Sequence, residues 1–379
     1  MSIWINYNAR IPNNTPAPPM QVAMQVIPDS KLKMAMMEEF IDGIAREKLI
    51  RFSRHQLANF TRNYTTRLGS GGYGVVYKGE FPNGVQIAVK VLNGRLNEVV
   101  EEQFMAEVGT IGRTHHINLV KLHGFCFDAA KIALVYEYMG KGSVDKLLFN
   151  KDRPIGLDVL HKIAVGTAKG IAYIHEGCKP RIIHYDIKPE NVLLDENFTP
   201  KVADFGLSKI CSWNRSQLTN IGFKGTPGYA APEMWAPYPI TYKCDVYSFG
   251  MFLFEIVGRR RNFDDKATES QKWFPTWVWD KFENGDLVGA MELYGIEEKD
   301  RLTAKRMAVI ALWCVQFKPE TRPPMSSVVK MLEGEMEIIA PPNPFQHLMP
   351  SKEVVTAWTE SDTNSTERSI AIIPQPEEV

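Results

Sequence analysis

The sequence predicts an α+β protein of two lobes, in which a small β-rich lobe precedes a larger, mostly helical one. Between about 61 and 138, short runs rich in β-branched and aromatic residues alternate with turns, as in GVVYKGEF, VQIAVKVL and ALVYEYM. After Gly142 the apolar residues recur mainly at helical spacing, interrupted by loops that contain Pro, Gly and Asn. A short glycine-containing link, GKGS at 140–143, separates the two patterns.

The bulk composition is that of a globular protein without a bias towards charged partners. Of the 379 residues, 44% are hydrophobic, which supplies enough apolar surface for a sizeable core. Lysine plus arginine and aspartate plus glutamate are both 44, so no overall field attracts nucleic acid or an anionic membrane. The five cysteines lack CxxC pairs and metal-ligand spacing, which suits reduced thiols in the cytosol. We therefore expect no nucleic-acid partner.

The sequence contains no pattern typical of membrane insertion or export. No window holds the about 18 uncharged apolar residues that a membrane helix needs, and the apolar runs at 249–258 and 307–317 predict buried helices. The first residues, MSIWINYNARIP, lack the basic region and apolar run of a secretory signal, and Ser2 excludes N-myristoylation. We expect a cytoplasmic protein without a membrane span.

The N-terminal part divides into two segments that precede the β-rich lobe. Residues 1–29 are rich in Pro and Asn without periodicity, which predicts disorder. Residues 30–61 form an amphipathic segment, with a helix predicted from Ser30 to about Leu49. Its apolar face consists of Met36, Met37, Phe40, Ile41 and Ile44. We interpret this helix as packed on its own domain or lying at the surface; the alternative is a helix that binds a membrane surface or a partner.

The first chemical motif is a glycine-rich loop near the start of the β-rich lobe. The string LGSGGYGVV fits G-x-G-x-x-G-x-V at Gly69, Gly71, Gly74 and Val76, and such glycines let backbone amides approach a polyphosphate. The same string can open a dinucleotide-binding helix, but there a helix follows the glycines directly. Here strand, turn and strand follow, so the motif favours a hairpin that covers a nucleotide.

A lysine and a glutamate are predicted to meet beneath this loop. Sixteen residues after Gly74, the next strand ends in IAVK and places Lys90 where it can contact the α and β phosphates. A helix predicted at about 101–111 carries Glu107 on the same face as its apolar residues, so its carboxylate should point inward. Glu107 is therefore the expected partner that fixes the lysine side chain.

Two further motifs supply the acid, base and metal-binding groups that phosphoryl transfer needs. In HYDIKPENVLLD, Asp186 can take or orient a hydroxyl proton and Lys188 can reach the transferring phosphoryl group. Asn191 follows five residues after Asp186, and Asp204 lies in the string DFG after another apolar strand. Their amide and carboxylate oxygens are hard ligands of the kind that Mg²⁺ prefers.

These motifs occur in the order found in eukaryotic protein kinases, and the chain resembles that family from about Arg67 to Glu333. The resemblance implies a bilobal protein kinase fold with a small five-stranded β N-lobe, one main N-lobe helix and a larger, mostly α-helical C-lobe. It implies ATP and Mg²⁺ as cofactors, with Mn²⁺ as an alternative metal, and proteins as substrates. We expect the kinase domain to span 62–339 and a flexible C-terminal tail to span 340–379. Within the kinase domain, the expected limits are about 62–135 for the N-lobe, about 136–142 for the hinge and about 143–339 for the C-lobe.

The same resemblance assigns residues that the motifs alone do not. Tyr136 occupies the gatekeeper position, and Glu137 and Met139 would offer backbone groups to adenine. Three apolar side chains would enclose the base from above and below: Val76, Ala88 and Leu193. Three residues are carried over as supports of the catalytic loop and of the end of the activation segment: Asp245, Glu233 and its partner Arg322.

The motif sequences are similar to those of plant receptor-like Ser/Thr kinases of the interleukin-receptor-associated/Pelle type. Within that type they are similar to the leaf-rust-resistance and thaumatin-like receptor kinase subgroup. Lys188 in D-x-K and Thr226 in GTPGY indicate serine or threonine as the acceptor. Such kinases usually carry an ectodomain and a membrane span upstream, whereas only a short juxtamembrane-like segment precedes the kinase motifs here. The resemblance implies receptor-linked, defence-related signalling, with a membrane receptor kinase or co-receptor as a partner that holds the protein at the inner face of the plasma membrane.

The sequence is compatible with two classes of function. The presence of all the motif residues favours an active Ser/Thr kinase; the alternative is a pseudokinase or scaffold that binds a receptor complex without significant catalysis. Tyr185 replaces the arginine that commonly precedes the catalytic aspartate, which identifies a "non-RD" sequence. We interpret Tyr185 as a change in how the activation segment is ordered, with the chemistry retained. The run RRR at 259–261 is interpreted as a solvated loop, with a phosphate or nucleic-acid site as the alternative.

Overall fold

The computed structural model describes residues 38, 40–41, 49–72, 74–93, 98–128, 131–150, 155–211, 225–235 and 239–348. The segment 1–29 that is predicted to be disordered, and the predicted tail beyond 348, lie outside the described residues. Residues 1–48 form a separate unit of the chain. Within it Glu38, Phe40 and Ile41 are helical, in agreement with the helix predicted there.

The N-lobe is built on a six-stranded sheet with one long helix. The strand order is β1-β5-β6-β4-β3-β2, and all neighbours are antiparallel except β1 and β5. The elements of this lobe are β1 (Ile50–Arg51), α1 (Arg54–Phe60), β2 (Arg67–Gly71), β3 (Gly74–Glu80), β4 (Gln86–Leu92), α2 (Glu98–Thr110), β5 (Leu122–Asp128) and β6 (Lys131–Glu137). The predicted lobe of five strands and one main helix is thus present, with a short additional strand.

The additional strand, β1, corrects the predicted start of the N-lobe. Ile50 pairs with Gly124 of β5, and a Cβ on Gly124 would overlap the Ile50 carbonyl oxygen, so the absence of a side chain permits this pairing. The helix α1 follows, and Ser53 and Gln56 form a capping box at its start. Residues 49–61 therefore belong to the lobe that was expected to begin at about 62. The sequence pattern did not reveal this strand, because a strand of two residues has no recognisable alternation.

Packing explains why α1 is fixed to the sheet. Leu57 is completely buried against Ile87, Val89 and Val135, and Phe52 lies in the same cluster. The helix α2 presents its apolar side inward as predicted, with Phe104 and Val108 buried, and Ile111 is buried just after its end. This burial fixes the position of Glu107, which lies on the same face of α2.

The C-lobe is mainly helical and surrounds the long helix α5. Its elements are β7 (Gly142–Ser143), α3 (Val144–Leu148), α4 (Leu157–Ala172), β8 (Arg181–Ile183), β9 (Val192–Leu194), β10 (Pro200–Val202), β11 (Lys209–Cys211), α5 (Lys243–Gly258), α6 (Phe274–Glu283), α7 (Leu287–Ala290), α8 (Arg301–Cys314) and α9 (Met325–Glu333). The helix α5 packs on α8 and is buried on nearly all sides, which explains its continuous apolar run. Within the part of the chain that the structure describes, no helix is long and apolar enough to cross a bilayer.

The residues just after 339 differ from the flexible tail predicted there. Trp313 and Gln316 in and after α8 donate side-chain hydrogen bonds to the carbonyl oxygens of Ile339 and Pro342, both at 2.9 Å. Phe345 is buried against the C-lobe. Residues 340–348 are therefore docked on the lobe. Side chains distant in sequence supply the hydrogen-bond donors for its backbone carbonyl oxygens, because a proline-rich segment has few N–H groups of its own.

The lobes are joined by the hinge after β6. Beside it, Lys201 of β10 binds the carboxylate of Glu137 at 3.0 and 3.1 Å, and the same carboxylate accepts a hydrogen bond from the Lys121 backbone at 2.7 Å. Leu119 and Val202 form an isolated bridge between the lobes. These contacts set the spacing of the cleft between N-lobe and C-lobe.

Candidate active site

A cavity of about 1050 Å³ fills the cleft and brings together most of the residues singled out from the sequence. The residues from the predicted set that line it are Gly69, Gly71, Gly74, Val76, Ala88, Lys90, Glu137, Met139, Lys188, Asn191, Leu193 and Asp204. The other two, Asp186 and Glu107, lie directly behind it and bind residues of its wall. The predicted set thus converges on one place although it comes from six separate segments.

The glycine loop is the hairpin of β2 and β3, and its glycines serve two purposes. Gly74 has φ +156°, and a Cβ there would overlap the Val91 carbonyl oxygen of the adjacent strand. A Cβ on Gly69 or Gly71 would meet no heavy atom of the described residues within 4 Å. Packing therefore requires the glycine at Gly74, whereas those at Gly69 and Gly71 leave space for a ligand to approach the backbone, as a polyphosphate requires.

Lys90 is held between two carboxylates at the back of the cavity. Its Nζ is 2.8 Å from Glu107 Oε1 and 2.7 Å from Asp204 Oδ1. Glu107 is fully buried, and its other oxygen accepts hydrogen bonds from the Tyr136 hydroxyl at 2.7 Å and the Phe205 backbone at 3.2 Å. The lysine is therefore fixed in one position, as predicted for a group that must contact phosphate.

The electrostatics of this cluster follow from burial and opposite charge. Burial lowers the pKa of Lys90, but the charges of Asp204 and Glu107 outweigh it, so the pKa of Lys90 is raised. Burial acts on Asp204 to raise its pKa, yet the adjacent Lys90 reverses this, so the pKa of Asp204 lies below its usual value. Lys90 and Asp204 are therefore both charged near neutral pH, as phosphate and metal binding require.

The catalytic loop holds its carboxylate in a network of three side chains. Thr226 donates to Asp186 Oδ1 at 2.5 Å and accepts from Lys188 Nζ at 2.6 Å. Lys188 Nζ is also 2.8 Å from Asp186 Oδ2, and Asn191 donates to the same oxygen at 2.9 Å. The end of the activation segment is thus bound to the catalytic loop through Thr226, the residue on which the Ser/Thr prediction depends.

Asp245 supports this loop from beneath, as the resemblance implies. It is fully buried in α5, and its carboxylate accepts hydrogen bonds from the backbone amides of His184 and Tyr185 at 2.8 Å. The His175 Nε2 donates to it at the same distance. Burial alone would raise the pKa of Asp245, but the hydrogen bond and charge of His175, together with the charge and backbone hydrogen bond of His184, outweigh burial and lower the pKa. The support also holds Tyr185 at φ 70°, a conformation that an unsupported tyrosine rarely adopts.

A second buried pair fixes the end of the activation segment. Arg322 binds both oxygens of Glu233, at 2.6 and 2.8 Å, and is almost fully buried. It also donates to the carbonyl oxygens of Gln316, Phe317 and Lys243. A bidentate pair with additional backbone partners is the geometry in which a buried charge is compensated.

Tyr185 is buried between the catalytic loop and the end of the activation segment. It is 1% exposed and packs in a cluster with Ile183, Ala231, Met234 and Cys244. Ala231 and Met234 belong to the end of the activation segment, so the ring joins that segment to the catalytic loop by apolar contact.

Sequence reasoning missed one group of residues at this site. Tyr229, Glu255 and Arg261 line the cavity on the side of Thr226, together with Glu190. Arg261 belongs to the RRR run that was interpreted as a solvated loop, yet its guanidinium is 2.7 Å from Glu190. Local pattern could not reveal this because the two residues are distant in sequence and only the fold of the C-lobe places them together.

Two oxygen-bearing side chains in the cavity wall, Asn191 and Asp204, fit a divalent cation. Asn191 and Asp204 both line the cavity, and the Asn191 amide nitrogen is committed to Asp186, which leaves its amide oxygen for a ligand. Among the described residues there is no group of three or more His, Cys, Asp or Glu that could hold a metal by itself. Two oxygen ligands fit Mg²⁺, which usually keeps waters and binds substrate phosphates as its other ligands.

Comparison with known proteins agrees with this geometry. Residues 63–332 match the family described as protein tyrosine and serine/threonine kinase. Over 317 residues the chain is 41% identical to the rust resistance kinase Lr10 of Triticum aestivum, covering 81% of this chain and 49% of that protein. It is 42% identical to the leaf rust 10 disease-resistance locus receptor-like protein kinase-like 2.2 of Arabidopsis thaliana, covering 79% and 47%.

A third relative is the G-type lectin S-receptor-like serine/threonine-protein kinase SD2-5 of Arabidopsis thaliana. It is 43% identical over 299 residues, which cover 78% of this chain and 36% of that protein. The chain therefore spans about half, or less, of the length of these curated relatives. The shared part is the one that contains the cavity.

Proposed function

Because the chain belongs to the protein tyrosine and serine/threonine kinase family, we propose that it transfers the γ-phosphoryl group of ATP to serine and threonine hydroxyl groups of proteins. The observation that carries the proposal is the network in which Thr226 joins Asp186 to Lys188 at the mouth of the cavity. This network places one proton acceptor and one positive charge beside a threonine of the activation segment. Phosphoryl transfer to an alcohol needs both groups.

The acceptor side of the reaction depends on Asp186 and Lys188. The Asp186 carboxylate orients the incoming hydroxyl group and accepts its proton, while the Lys188 ammonium stabilises the negative charge that develops on the transferring group. Thr226 holds the two in a fixed arrangement, since its hydroxyl bonds to both and Lys188 also pairs directly with Asp186. Because little covalent chemistry is required of the protein, positioning and charge carry the rate.

The nucleotide side depends on Lys90, the glycine loop and two metal ligands. Lys90 is fixed by Glu107 and would contact the α and β phosphates, and the backbone at Gly69 and Gly71 would cover them. Asn191 and Asp204 would hold Mg²⁺, which neutralises phosphate charge when bound. Hinge backbone groups at Glu137 and Met139 would bind adenine between three apolar side chains, Val76, Ala88 and Leu193, which all line the cavity.

Radiolabelled ATP with a generic protein acceptor tests the proposal. We expect incorporation into serine and threonine by the wild type, and a loss of about 10³-fold or more in Asp186→Asn and Asp204→Ala, since each removes a group that acts in the transition state. Phosphoamino-acid analysis identifies the acceptor. Incorporation by the wild type no greater than by Asp204→Ala would instead support the pseudokinase or scaffold alternative.

The names of the relatives suggest a biological setting. We propose that the protein acts in plant receptor-linked signalling, including disease resistance, at the cytoplasmic face of the plasma membrane through a receptor kinase or co-receptor. Similarity to the rust resistance kinase and to two receptor-like kinases supports this setting. Proximity labelling in the native cell and membrane co-fractionation, each with and without residues 1–48, test it. If the labelled proteins include no receptor kinase, the proposed receptor-linked setting is contradicted.

A further inference from the structure

The acceptor side of the cavity contains an ion-pair cluster that the proposed mechanism does not use. Arg261 lies just after α5, and its guanidinium lies between two carboxylates. Its Nη2 is 2.7 Å from Glu190 Oε1, and its Nη1 is 3.7 Å from Glu255 Oε2. Nη1 also donates to the Tyr229 hydroxyl oxygen at 3.1 Å. All four residues line the cavity that also contains Lys188 and Thr226.

The cluster is fixed by burial and hydrogen bonds, although Arg261 itself is partly exposed. Glu255 is 2% exposed and accepts hydrogen bonds from the Tyr229 hydroxyl at 2.8 Å and the Asn262 backbone at 3.0 Å. The Arg261 guanidinium carbon also lies 4.1 Å from the centre of the Phe149 ring. A side chain with partners on three elements occupies a defined position, unlike a solvated surface arginine.

The position of Arg261 decides which charge an incoming peptide meets. Without Arg261, the carboxylate of Glu190, beside the buried Glu255, would attract a lysine or arginine side chain of an acceptor protein that enters beside Thr226. Arg261 pairs with Glu190 and presents its own positive charge to the cavity, so a second cation would meet like charge. The same cavity wall includes three apolar side chains, Pro227, Phe263 and Trp273.

We propose that Arg261 is a specificity-determining residue that makes the acceptor side select an uncharged, apolar side chain and reject lysine or arginine next to the phosphorylated residue. This inference rests on the proposed kinase function of the same site. It concerns the substrate class alone, because Arg261 contacts neither Asp186 nor Lys90 in the structure. The Phe263 side chain, 62% exposed at the cavity, is available to contact the selected residue.

The test uses pairs of serine peptides that differ only by arginine against leucine at successive positions on either side of the acceptor. For each pair the ratio of kcat/KM for the arginine peptide to that for the leucine peptide is measured. In the wild type this ratio is below one at the position that faces Arg261. In Arg261→Gln it rises about fivefold there, since removal of the cation leaves the Glu190 carboxylate uncompensated.

Matched variants separate charge from fold. Arg261→Lys keeps the cation and should give the wild-type ratio. Arg260→Gln removes the neighbouring arginine, which does not line the cavity, and should also leave the ratio unchanged. Glu190→Gln removes a carboxylate and leaves Arg261 less compensated, so the ratio should fall below that of the wild type. In the double variant with Glu190→Gln and Arg261→Gln, most of the increase in the arginine-to-leucine ratio should be lost.

Peptide binding, measured by fluorescence anisotropy with the same pairs in the presence of a non-hydrolysable ATP analogue, gives a readout that does not need catalysis. A wild type without transferase activity would overturn the kinase proposal, and the binding ratios would still decide the role of Arg261. An equal arginine-to-leucine ratio in wild type and Arg261→Gln, with both proteins folded by circular dichroism, overturns the inference while leaving the kinase proposal intact.

Discussion

We infer that Tyr185 changes how the activation segment is ordered and leaves the catalytic groups in place. Its ring is buried with Ala231 and Met234 from the end of the activation segment, so apolar packing fixes that segment to the catalytic loop. An arginine at this position would instead bind a phosphorylated loop by a charge-assisted, bidentate pair, which a tyrosine hydroxyl cannot make. The groups proposed for catalysis, Asp186, Lys188 and Asn191, lie in place beside it.

We therefore predict that activity does not require phosphorylation of the activation segment. Protein treated with phosphatase and the triple variant of Ser212, Ser216 and Thr219 to alanine should both keep the kcat/KM of the untreated wild type. These three hydroxyl residues lie outside the described residues, so the prediction depends on Tyr185 alone. Tyr185→Phe keeps the packing and serves as the matched control. Loss of activity after both treatments would refute this interpretation of Tyr185.

Glu255 is a second residue whose surroundings alter its chemistry. Burial raises the pKa of this carboxyl group from 4.5 to about 7, opposed by hydrogen bonds from Asn262 and Tyr229 and by the charge of Arg261, while nearby Glu190 adds to the rise. The folded protein therefore holds a proton here that the unfolded chain has already released. Folding stability contributed by this group is complete below pH 4.5 and is lost as the pH rises to about 7.

The corresponding prediction compares the wild type with Glu255→Gln in urea unfolding between pH 5 and pH 8. Relative to the variant, the wild type should lose on the order of 3 kcal/mol across the full window, since each pKa unit corresponds to about 1.4 kcal/mol. The constant cost of altered hydrogen bonds cancels in this comparison. A difference that stays flat with pH would show that Glu255 titrates at its ordinary value.

At the scale of elements, the helix α1 is an integral part of the N-lobe. Its start is fixed by the Ser53 and Gln56 capping box, and its apolar side is fixed by Leu57, which is fully buried under the sheet. The strand β1 precedes it and pairs with β5. The strand extends the edge of the sheet, and the helix packs on the face opposite to α2, so the lobe depends on residues upstream of its predicted boundary.

Substitutions in α1 should therefore destabilise the kinase domain. Leu57→Ala should lower the free energy of unfolding by about 2–5 kcal/mol, because it leaves a cavity in the core. Ser53→Ala should cost about 0.5–2 kcal/mol through loss of the cap. Asn59→Ala, on the exposed face of the same helix, should stay within about 0.5 kcal/mol. Equal effects for Leu57→Ala and Asn59→Ala in urea unfolding would contradict the proposed packing.

The helix α5 organises the C-lobe part of the site. It supplies Asp245 near its first turn and Glu255 near its last, and its apolar residues pack on α8 between them. Asp245 holds the catalytic loop, while Glu255 holds Tyr229 on the acceptor side. One buried helix thus sets the distance between the residues that act on the hydroxyl group and those proposed to select the substrate.

For the whole molecule, the cavity belongs to both lobes, so a nucleotide that fills it should stabilise the folded protein. At a concentration 100 times its dissociation constant, a non-hydrolysable ATP analogue with Mg²⁺ should raise the free energy of unfolding by about 2.7 kcal/mol. Asp186→Asn should keep this shift although it loses transfer activity. Ala88→Phe, which fills the upper wall of the cavity, should abolish it. A shift of equal size in Ala88→Phe would indicate that the nucleotide binds elsewhere.

Much of the fold and site could be predicted from local features of the chain. The glycine loop, the lysine of IAVK, the catalytic loop and DFG each constrain backbone shape and chemistry within a few residues, so their spacing is visible in sequence. The burial of Glu107 was also predictable, because helical periodicity places it on the face of Phe104 and Val108. The residues Asp245 and Arg322, by contrast, were assigned by resemblance, and the structure confirms their contacts.

The two-lobed organisation, the phosphate-handling residues and their order can be predicted from the sequence, because periodicity, turn chemistry and motif spacing act over short stretches of chain. Only the tertiary structure decided that β1 and α1 join the N-lobe, that residues 340–348 dock on the C-lobe and that Arg261 lies between Glu190 and Glu255. Each of these depends on a contact between residues far apart in sequence. Such contacts follow from how packed elements place side chains in space, which no local pattern encodes.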